Sequence, residues 1–443
     1  LPEKELPDGK VETTLGKIYS LGAMAMLQRR RLRFRLVCVL VALSTVLGVV
    51  WGQALPTFAN NSFCQLQSTR SRPCVQRKKE IRGVWLTNVD SDVLMDKTRQ
   101  HEAVKELDRL NFNTLYPVVW NWGYTLYPSK IMQREIGEKV DPRADAIGLQ
   151  NRDMLKEMID DAHKRGMGVT PWFEFGFMAP KESEIAQKHK DWWTQKRDGS
   201  VDGSKAALDR VQIPVWFNPF KPEVQQFILD LVMEIVTTYD VDGIQFDDHF
   251  GLPVDFGYDD YTVKLYQQEH AGKSPPDNAR DPEWVRWRSN KIQAFLRTVF
   301  TTIKAQKKIS LSFSPLDHPY AYEELLVDWD KWVKAGLIEE LVVQIYFQGQ
   351  KFVDRIDPKT KPELKFAQTH IPTAIGILSG LSSTPRSMTE MGRQVKAVRD
   401  RGYAGVSFFF YETLWNKSPE PTITRKAGWK RLFPLKADRP KVV

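Results

Sequence analysis

Three observations predict an α/β fold, a closed (β/α)8 TIM barrel. Short apolar runs alternate with longer amphipathic stretches from Ile81 onward. Polar and acidic residues gather at the ends of those runs, and long aromatic-rich connections follow the second, third and fourth. In such a barrel every strand rises to one rim, so the residues at strand C-terminal ends share a mouth. Eight runs qualify as strands: Gly83–Val89, Thr114–Val119, Gly168–Phe173, Gly243–Asp247, Ile309–Phe313, Leu341–Tyr346, Thr373–Ile377 and Gly405–Phe409. The barrel is expected over residues 80–435, with 436–443 as a tail. An open doubly wound sheet is the alternative. No glycine-rich phosphate loop follows the first run, which weakens a nucleotide-binding version of it.

Ahead of the barrel the chain changes character. A basic block at residues 29–35, an apolar run at 36–51 and then Gly52-Gln53-Ala54 follow the order of an export signal, with cleavage expected after Ala54. Residues 1–54 therefore read as an upstream extension plus signal, and those before Met24 or Met26 as translated upstream sequence without a stable fold. The apolar run is marginal for a spanning helix, so an uncleaved membrane anchor is the second choice. Residues 55–79 are polar and read as a linker. In it, Cys64 and Cys74 either close a small disulfide loop in an oxidising compartment or stay as two thiols. Cys38 lies within the leader.

The formal net charge is +9, much of it from the leader. Elsewhere both signs are interspersed, with no basic stripe interleaved with aromatics, which argues against nucleic acid. A mildly basic exported surface suits an anionic envelope polymer. No Cys-His spacing suggests zinc, the 7 histidines form no ligand set, and neither metal nor cofactor is expected.

Between the strands, helical spacing appears in Asn151–Arg165 (Met154, Met158 and Ala162, ending at Gly166) and in Pro222–Thr238, where Pro222 suits the first turn. Trp284–Gln306, Tyr320–Ala335 and Ser387–Arg401 follow the same style. The connections 120–150, 175–219 and 249–283 are long enough to be functional. They carry Trp120, Trp122, Tyr124, Trp192, Trp193, Trp216, Tyr258 and Tyr261, which as a group suit stacking on sugar rings and singly suit local core.

The chemistry gathers at the fourth run. Alternation puts Gln245, Asp247 and His249 on one face and Ile244, Phe246 and Asp248 on the other. A row of polar side chains is costly in a core unless bonded or used. The plain alternative is an Asp pair capping the next turn. In the third run Glu174 stands among Trp172, Phe173 and Phe175, either as a structural ion pair or as a proton carrier with a raised pKa. Asn88, Asp317, Gln344, Tyr346 and Glu412 stand at the ends of other runs.

Two carboxyls flanking a glycosidic bond are the minimal apparatus for its hydrolysis. Asp247 is expected as the catalytic carboxylate and Glu174 as the general acid. Asp248 is expected to turn at the strand end and hold the site or a sugar hydroxyl. Substrate contacts are expected from Asn88, Trp120, Trp122, Trp172, Gln245, His249, Asp317, Gln344, Tyr346 and Glu412, with Asp317 and Glu412 also reserve carboxyls. No Gly-x-Ser-x-Gly elbow occurs, which disfavours a serine hydrolase.

Several short segments follow one another in a telling order. They are Glu80-Ile81-Arg82-Gly83-Val84-Trp85-Leu86-Thr87, Phe112-Asn113-Thr114-Leu115-Tyr116-Pro117, Trp216-Phe217-Asn218-Pro219, Asp242-Gly243-Ile244-Gln245-Phe246-Asp247-Asp248 and Gly405-Val406-Ser407-Phe408-Phe409. Through to about Trp415 the chain resembles the glycosyl-hydrolase-like family 10 proteins of the bacterial envelope. The resemblance implies a (β/α)8 barrel and a glycosidase-type role, with peptidoglycan glycan strands as substrate. The catalytic residues rest on the strand-face argument instead. The fourth run also resembles the Asp-Gly-x-Asp-x-Asp-x-Glu pattern of family-18 chitinases. Asp242, Gly243 and Asp247 match it, but Gln245 replaces an Asp and His249 stands where the acid belongs, which argues against their substrate-assisted mechanism.

The expectation is thus an exported, periplasmic or envelope glycoside hydrolase acting on a polysaccharide, with no stable protein partner implied. A non-catalytic glycan-binding barrel is the alternative. A lyase or metal-dependent deacetylase stands further back.

Overall fold

Eight parallel strands close into a ring, and the third strand closes it. The computed structural model describes residues 78–204, 212–381 and 383–441. The expected signal, nearly all of the linker and the Cys64–Cys74 pair lie outside the described residues. The strands are β1 (Ile81–Leu86), β2 (Thr114–Pro117), β3 in two pieces (Gly168–Val169 and Trp172–Phe173), β4 (Gly243–Asp247), β5 (Ser310–Ser314), β6 (Glu340–Gln344), β7 (Thr373–Leu378) and β8 (Gly405–Phe409).

The first piece of β3 pairs with β2, Thr114 opposite Gly168. The second pairs with β4, Trp172 opposite Gln245 and Phe173 opposite Phe246. The break falls at Thr170-Pro171, where proline has no N–H to give. Pairing survives because the Thr170 N–H donates to the Leu115 carbonyl (2.9 Å) and the Pro171 carbonyl accepts from the Gln245 N–H (2.8 Å). With β1 joined to β8 as well, no edge is left, and an open sheet is excluded. Where β1 meets β8, Gly405 (φ +153) lies so close that an added Cβ would stand 2.0 Å from the Ile81 carbonyl oxygen.

One principal helix follows each strand: α1 (Lys97–Arg109), α2 (Met154–His163), α3 (Pro222–Thr238), α4 (Pro282–Gln306), α5 (Trp329–Lys334), α6 (Pro362–His370), α7 (Met388–Asp400) and α8 (Thr422–Leu432). Their starts follow local chemistry: Asp153 caps α2, Asp281 caps α4 and Ser387 caps α7 by accepting first-turn N–H groups. The helix expected over Tyr320–Ala335 is two, Tyr320–Leu325 and α5, because Leu326 turns to a left-handed φ of 59°. The long connections contain a hairpin, Trp120–Asn121 with Tyr124–Thr125, and a separate antiparallel pair, Met178–Pro180 with Pro214–Trp216.

The barrel interior is not purely apolar. Trp85 Nε1 donates to Gln245 Oε1 (2.7 Å), and Gln245 Nε2 donates to Ser312 Oγ (2.9 Å). Ser312 and Tyr116 hydroxyls, each at 3.0 Å, donate to Glu340 Oε1. The other Glu340 oxygen is met at 3.0 Å by the guanidinium of Arg439, which reaches back from the chain's end to the barrel floor. Buried polar atoms must find partners, and this chain of contacts supplies them. Residues 436–441 accordingly lie on the barrel floor: Glu80 N–H donates to the Asp438 carbonyl (2.9 Å), and Asp438 N–H to that of Lys78 (3.0 Å).

Candidate active site

The register that closes the ring also builds the mouth. Because Trp172 pairs with Gln245 and Phe173 with Phe246, Glu174 and Asp247 occupy the next neighbouring positions on adjacent strands, whose backbones lie about 5 Å apart. Both are buried, Glu174 completely and Asp247 to 2% exposure. Glu174 Oε2 accepts from Asn121 Nδ2 (2.6 Å) and, more weakly, from Thr87 Oγ1 (3.4 Å). Asp247 accepts from Trp172 Nε1 (3.1 Å), from the His249 backbone N–H (2.9 Å) and from His249 Nδ1 (3.1 Å). His249 Nδ1 also lies 2.7 Å from the Glu174 carbonyl oxygen, so the imidazole ties the two strand ends together. The chain after Glu174 passes tightly beneath: Gly176 adopts φ +47, and an added Cβ would stand 2.2 Å from the His249 carbonyl oxygen.

β4 stops at Asp247, and Asp248–Phe250 forms a single 3-10 turn. Asp248 therefore swings toward β5, where both its oxygens face the Leu316 N–H (2.9 and 3.1 Å). Burial pushes its carboxyl up to about 8, and the charge of Asp247 adds to that. Burial alone would lower the His249 imidazole. The charge and hydrogen bond of Asp247, then Asp248 and Glu174, outweigh it and carry the group to about 9. Tyr346, buried and stacked on Phe409 with ring centroids 5.5 Å apart, is pushed well above the ordinary phenol value by burial and by Asp247, Asp248 and Glu174. Burial thus favours the neutral forms of Asp248 and Tyr346, while the surrounding carboxylates favour the charged form of His249.

The other expected site residues divide. Asn88 Oδ1 accepts the second N–H of Asn121 (2.8 Å). Asp317 stands close enough to Asp248 to raise it and is ion-paired to Arg355. Gln344 Nε2 donates to the Ser314 carbonyl (2.5 Å) at the end of β6. Glu412 is held by Ser91 (3.2 Å) and Asn416 (2.5 Å) where β8 adjoins β1. Trp122 is partly exposed, its ring 5.5 Å from Phe175 and under the Arg143 guanidinium.

Three expected contacts need correction. Trp120 is fully buried, donates to the Gly176 carbonyl (3.0 Å) and packs on Phe227, so it presents no face to a sugar. Trp172 lies inside the barrel against Trp85 and Phe409, where its N–H serves Asp247 rather than a substrate. Gln245, fully buried between Trp85 and Ser312, sits one layer below the mouth. Among the broader aromatic group, Tyr124, Trp192 and Trp216 are also buried.

Asn121 and Thr87, which both donate to Glu174, carry no signal in the sequence. Asn121 is a small residue between two tryptophans, and Thr87 stands one residue before Asn88. Among the described residues no group of His, Cys, Asp and Glu side chains is arranged to hold a metal ion.

The model of a family described as Glycosyl hydrolase-like 10 matches residues 80–394. The glycosyl hydrolase DigH of Escherichia coli K12 is 29% identical over 336 residues, 65% of this chain and 70% of that protein. The glycosyl hydrolase YngK of Bacillus subtilis is 24% identical over 311 residues, 61% of this chain and 55% of that one. Among solved structures, the PgaB (BpsB) glycoside hydrolase domain of Bordetella bronchiseptica superposes with a TM-score of 0.55 at 12% identity, covering 82% of this chain and all of that one. The catalytic domain of a Paenibacillus polymyxa β-amylase gives 0.54 at 10% identity, covering 81% and 98%. These two likenesses concern the fold.

Proposed function

This chain belongs to the glycosyl hydrolase-like 10 family, and from that premise we propose that it is an exported glycoside hydrolase that cuts envelope polysaccharide, the glycan strands of peptidoglycan in particular, with a pair of carboxyl groups. The observation that carries the reading is the adjacency of Glu174 and Asp247 at the barrel mouth, with Asp248, His249 and Tyr346 around them. Export is supported by the basic, apolar and small-residue order of residues 29–54. The glycan is supported by the family and by the names of the related proteins.

Three donors converge on Asp247, which leaves its oxygens in the part of acceptor: it attacks the anomeric carbon or takes a proton from water. Glu174, whose Oε2 is fixed by Asn121 and Thr87, delivers a proton to the leaving oxygen. A neutral Asp248 spares Asp247 a second negative neighbour, and the imidazolium of His249 balances the charge that remains. Trp122, on the rim, offers a partly exposed ring to a sugar face.

The test is reducing-end release from stripped glycan strands and intact peptidoglycan by the wild type, Asp247→Asn and Glu174→Gln. The reading expects activity in the wild type, its loss in both variants and retained glycan binding. Binding without cleavage by the wild type, on any polymer offered, would instead identify a glycan-binding barrel.

A further inference from the structure

The end of the barrel opposite the mouth presents a set of exposed cations. Lys79 precedes β1 by two residues, Lys164 closes α2 ahead of β3, and Lys308 precedes β5 by two. Arg431 lies in the last turn of α8, and Lys441 lies in the segment that crosses the floor. All five are exposed, and none forms a salt bridge within the described residues. The carboxylates nearby are largely committed: Asp108 to Lys436 (2.6 Å), Asp240 to Lys307 (3.4 Å), Asp242 to His163 (3.0 Å) and Glu339 to Lys304 (2.5 Å). Asp438 is tied through its backbone to Lys78 and Glu80.

Leu435, 76% exposed, stands on the same face, which its carbonyl shows by accepting from the Arg82 guanidinium at 2.5 Å. The face is also where the chain enters the barrel. Lys78 lies on this floor, its carbonyl accepting from the Asp438 N–H, and in the sequence it follows residues 1–77 with their apolar run at 36–51.

We propose that this floor docks on an anionic lipid surface, with the cations against headgroup phosphates and Leu435 in the interface. Unpaired lysines and arginines held near an anionic bilayer are each attracted to it, and an exposed apolar side chain adds to that. The polar recess on this face, lined by Asp108, His163, Arg165, Asp242, Lys436 and Asp438 among others, mixes both signs. The rim cations, not the recess, therefore carry the contact. Docked so, the barrel turns Glu174 and Asp247 away from the bilayer and toward the polymer. Docking of this kind does not depend on catalysis and is read by binding alone.

The experiment is flotation of the full chain with phosphatidylcholine vesicles, with and without phosphatidylglycerol, at low and high salt. The variant combines Lys79→Glu, Lys164→Glu, Lys308→Glu and Arg431→Glu; a second variant is Leu435→Ser. A control set, Lys190→Glu, Lys264→Glu and Lys273→Glu, reverses exposed lysines elsewhere. Any contribution of residues 1–77 is common to every protein compared. The expected result is salt-sensitive binding to the anionic vesicles that drops about fivefold per neutralised floor cation and more for each one reversed, falls in Leu435→Ser and is least affected in the control. Equal loss in floor and control sets, no loss in the floor set, or retention on a soluble polyanion without vesicle binding would overturn it. If the charge-reversed protein fails to fold by thermal melting, the corresponding glutamine set reads the same outcome.

Discussion

Replacing Asp248 by Asn should stabilise the protein, and by an amount that depends on pH in a defined direction. Asp248 is 4% exposed, next to Asp247 and within reach of the Asp317 charge. Its carboxyl is raised from an ordinary 3.8 to about 8. The folded state therefore holds a proton there that the unfolded state releases. The stability this group contributes is whole below the unfolded value and is lost as pH rises through the folded one. The full span of about four pH units at about 1.4 kcal/mol each, about 5 to 6 kcal/mol, is reached only above pH 8. At neutral pH about three units apply, and the upper bound is about 4 kcal/mol. Water entry and a turn of the charged side chain trim it, so we expect a gain of roughly 2 to 4 kcal/mol for Asp248→Asn at neutral pH.

Asparagine keeps an oxygen for the Leu316 N–H and never ionises, so its advantage should vanish near pH 4 and grow toward pH 8. Urea denaturation of both proteins across that range measures it. An Asp248→Asn protein that is less stable than wild type at neutral pH, or more stable by the same amount at every pH, would refute the reasoning.

Other expectations follow from particular contacts. Arg439→Ala strips the guanidinium from Glu340, which keeps only the Tyr116 and Ser312 hydroxyls. We expect a loss of about 3 kcal/mol by denaturant titration, recovered in part by Glu340→Gln in the same chain; additive losses would argue that the two do not interact. Asn121→Asp puts a carboxylate against Glu174 and should move one limb of the pH–rate profile upward by on the order of one unit, whereas a purely structural residue would lower activity with no such shift. Trp122→Ala should weaken glycan binding about fivefold to tenfold with little change in kcat, and an unchanged KM would remove Trp122 from the binding surface.

What was legible in the sequence is what periodicity encodes. Apolar runs mark the strands to within one to three residues, and alternation puts Asp247 on the same face as Gln245. Depth along the barrel is a different quantity: Gln245 shares a face with Asp247 but sits two residues earlier, roughly 6.6 Å lower, and so serves Trp85 and Ser312 instead of a ligand. Alternation also ends at Asp247, two residues short of His249, because the 3-10 turn that follows carries Asp248 round to Leu316. Aromatic size misled at Trp120, where the hairpin buries the ring and leaves its small neighbour Asn121 at the carboxylate. The pairing of Asp317 with Arg355 and of Glu340 with Arg439 joins residues far apart in the chain, and no local pattern announces such a contact.

The most direct measurement is a crystal structure of Asp247→Asn soaked with a glycan oligomer from stripped peptidoglycan. We expect a sugar seated at the mouth, with its glycosidic oxygen against Glu174, its anomeric carbon facing the carboxamide that replaces the Asp247 carboxylate, and Tyr346 beside it. A glycan bound elsewhere on the barrel, or at the mouth with neither side chain near the glycosidic bond, would contradict the proposed pair.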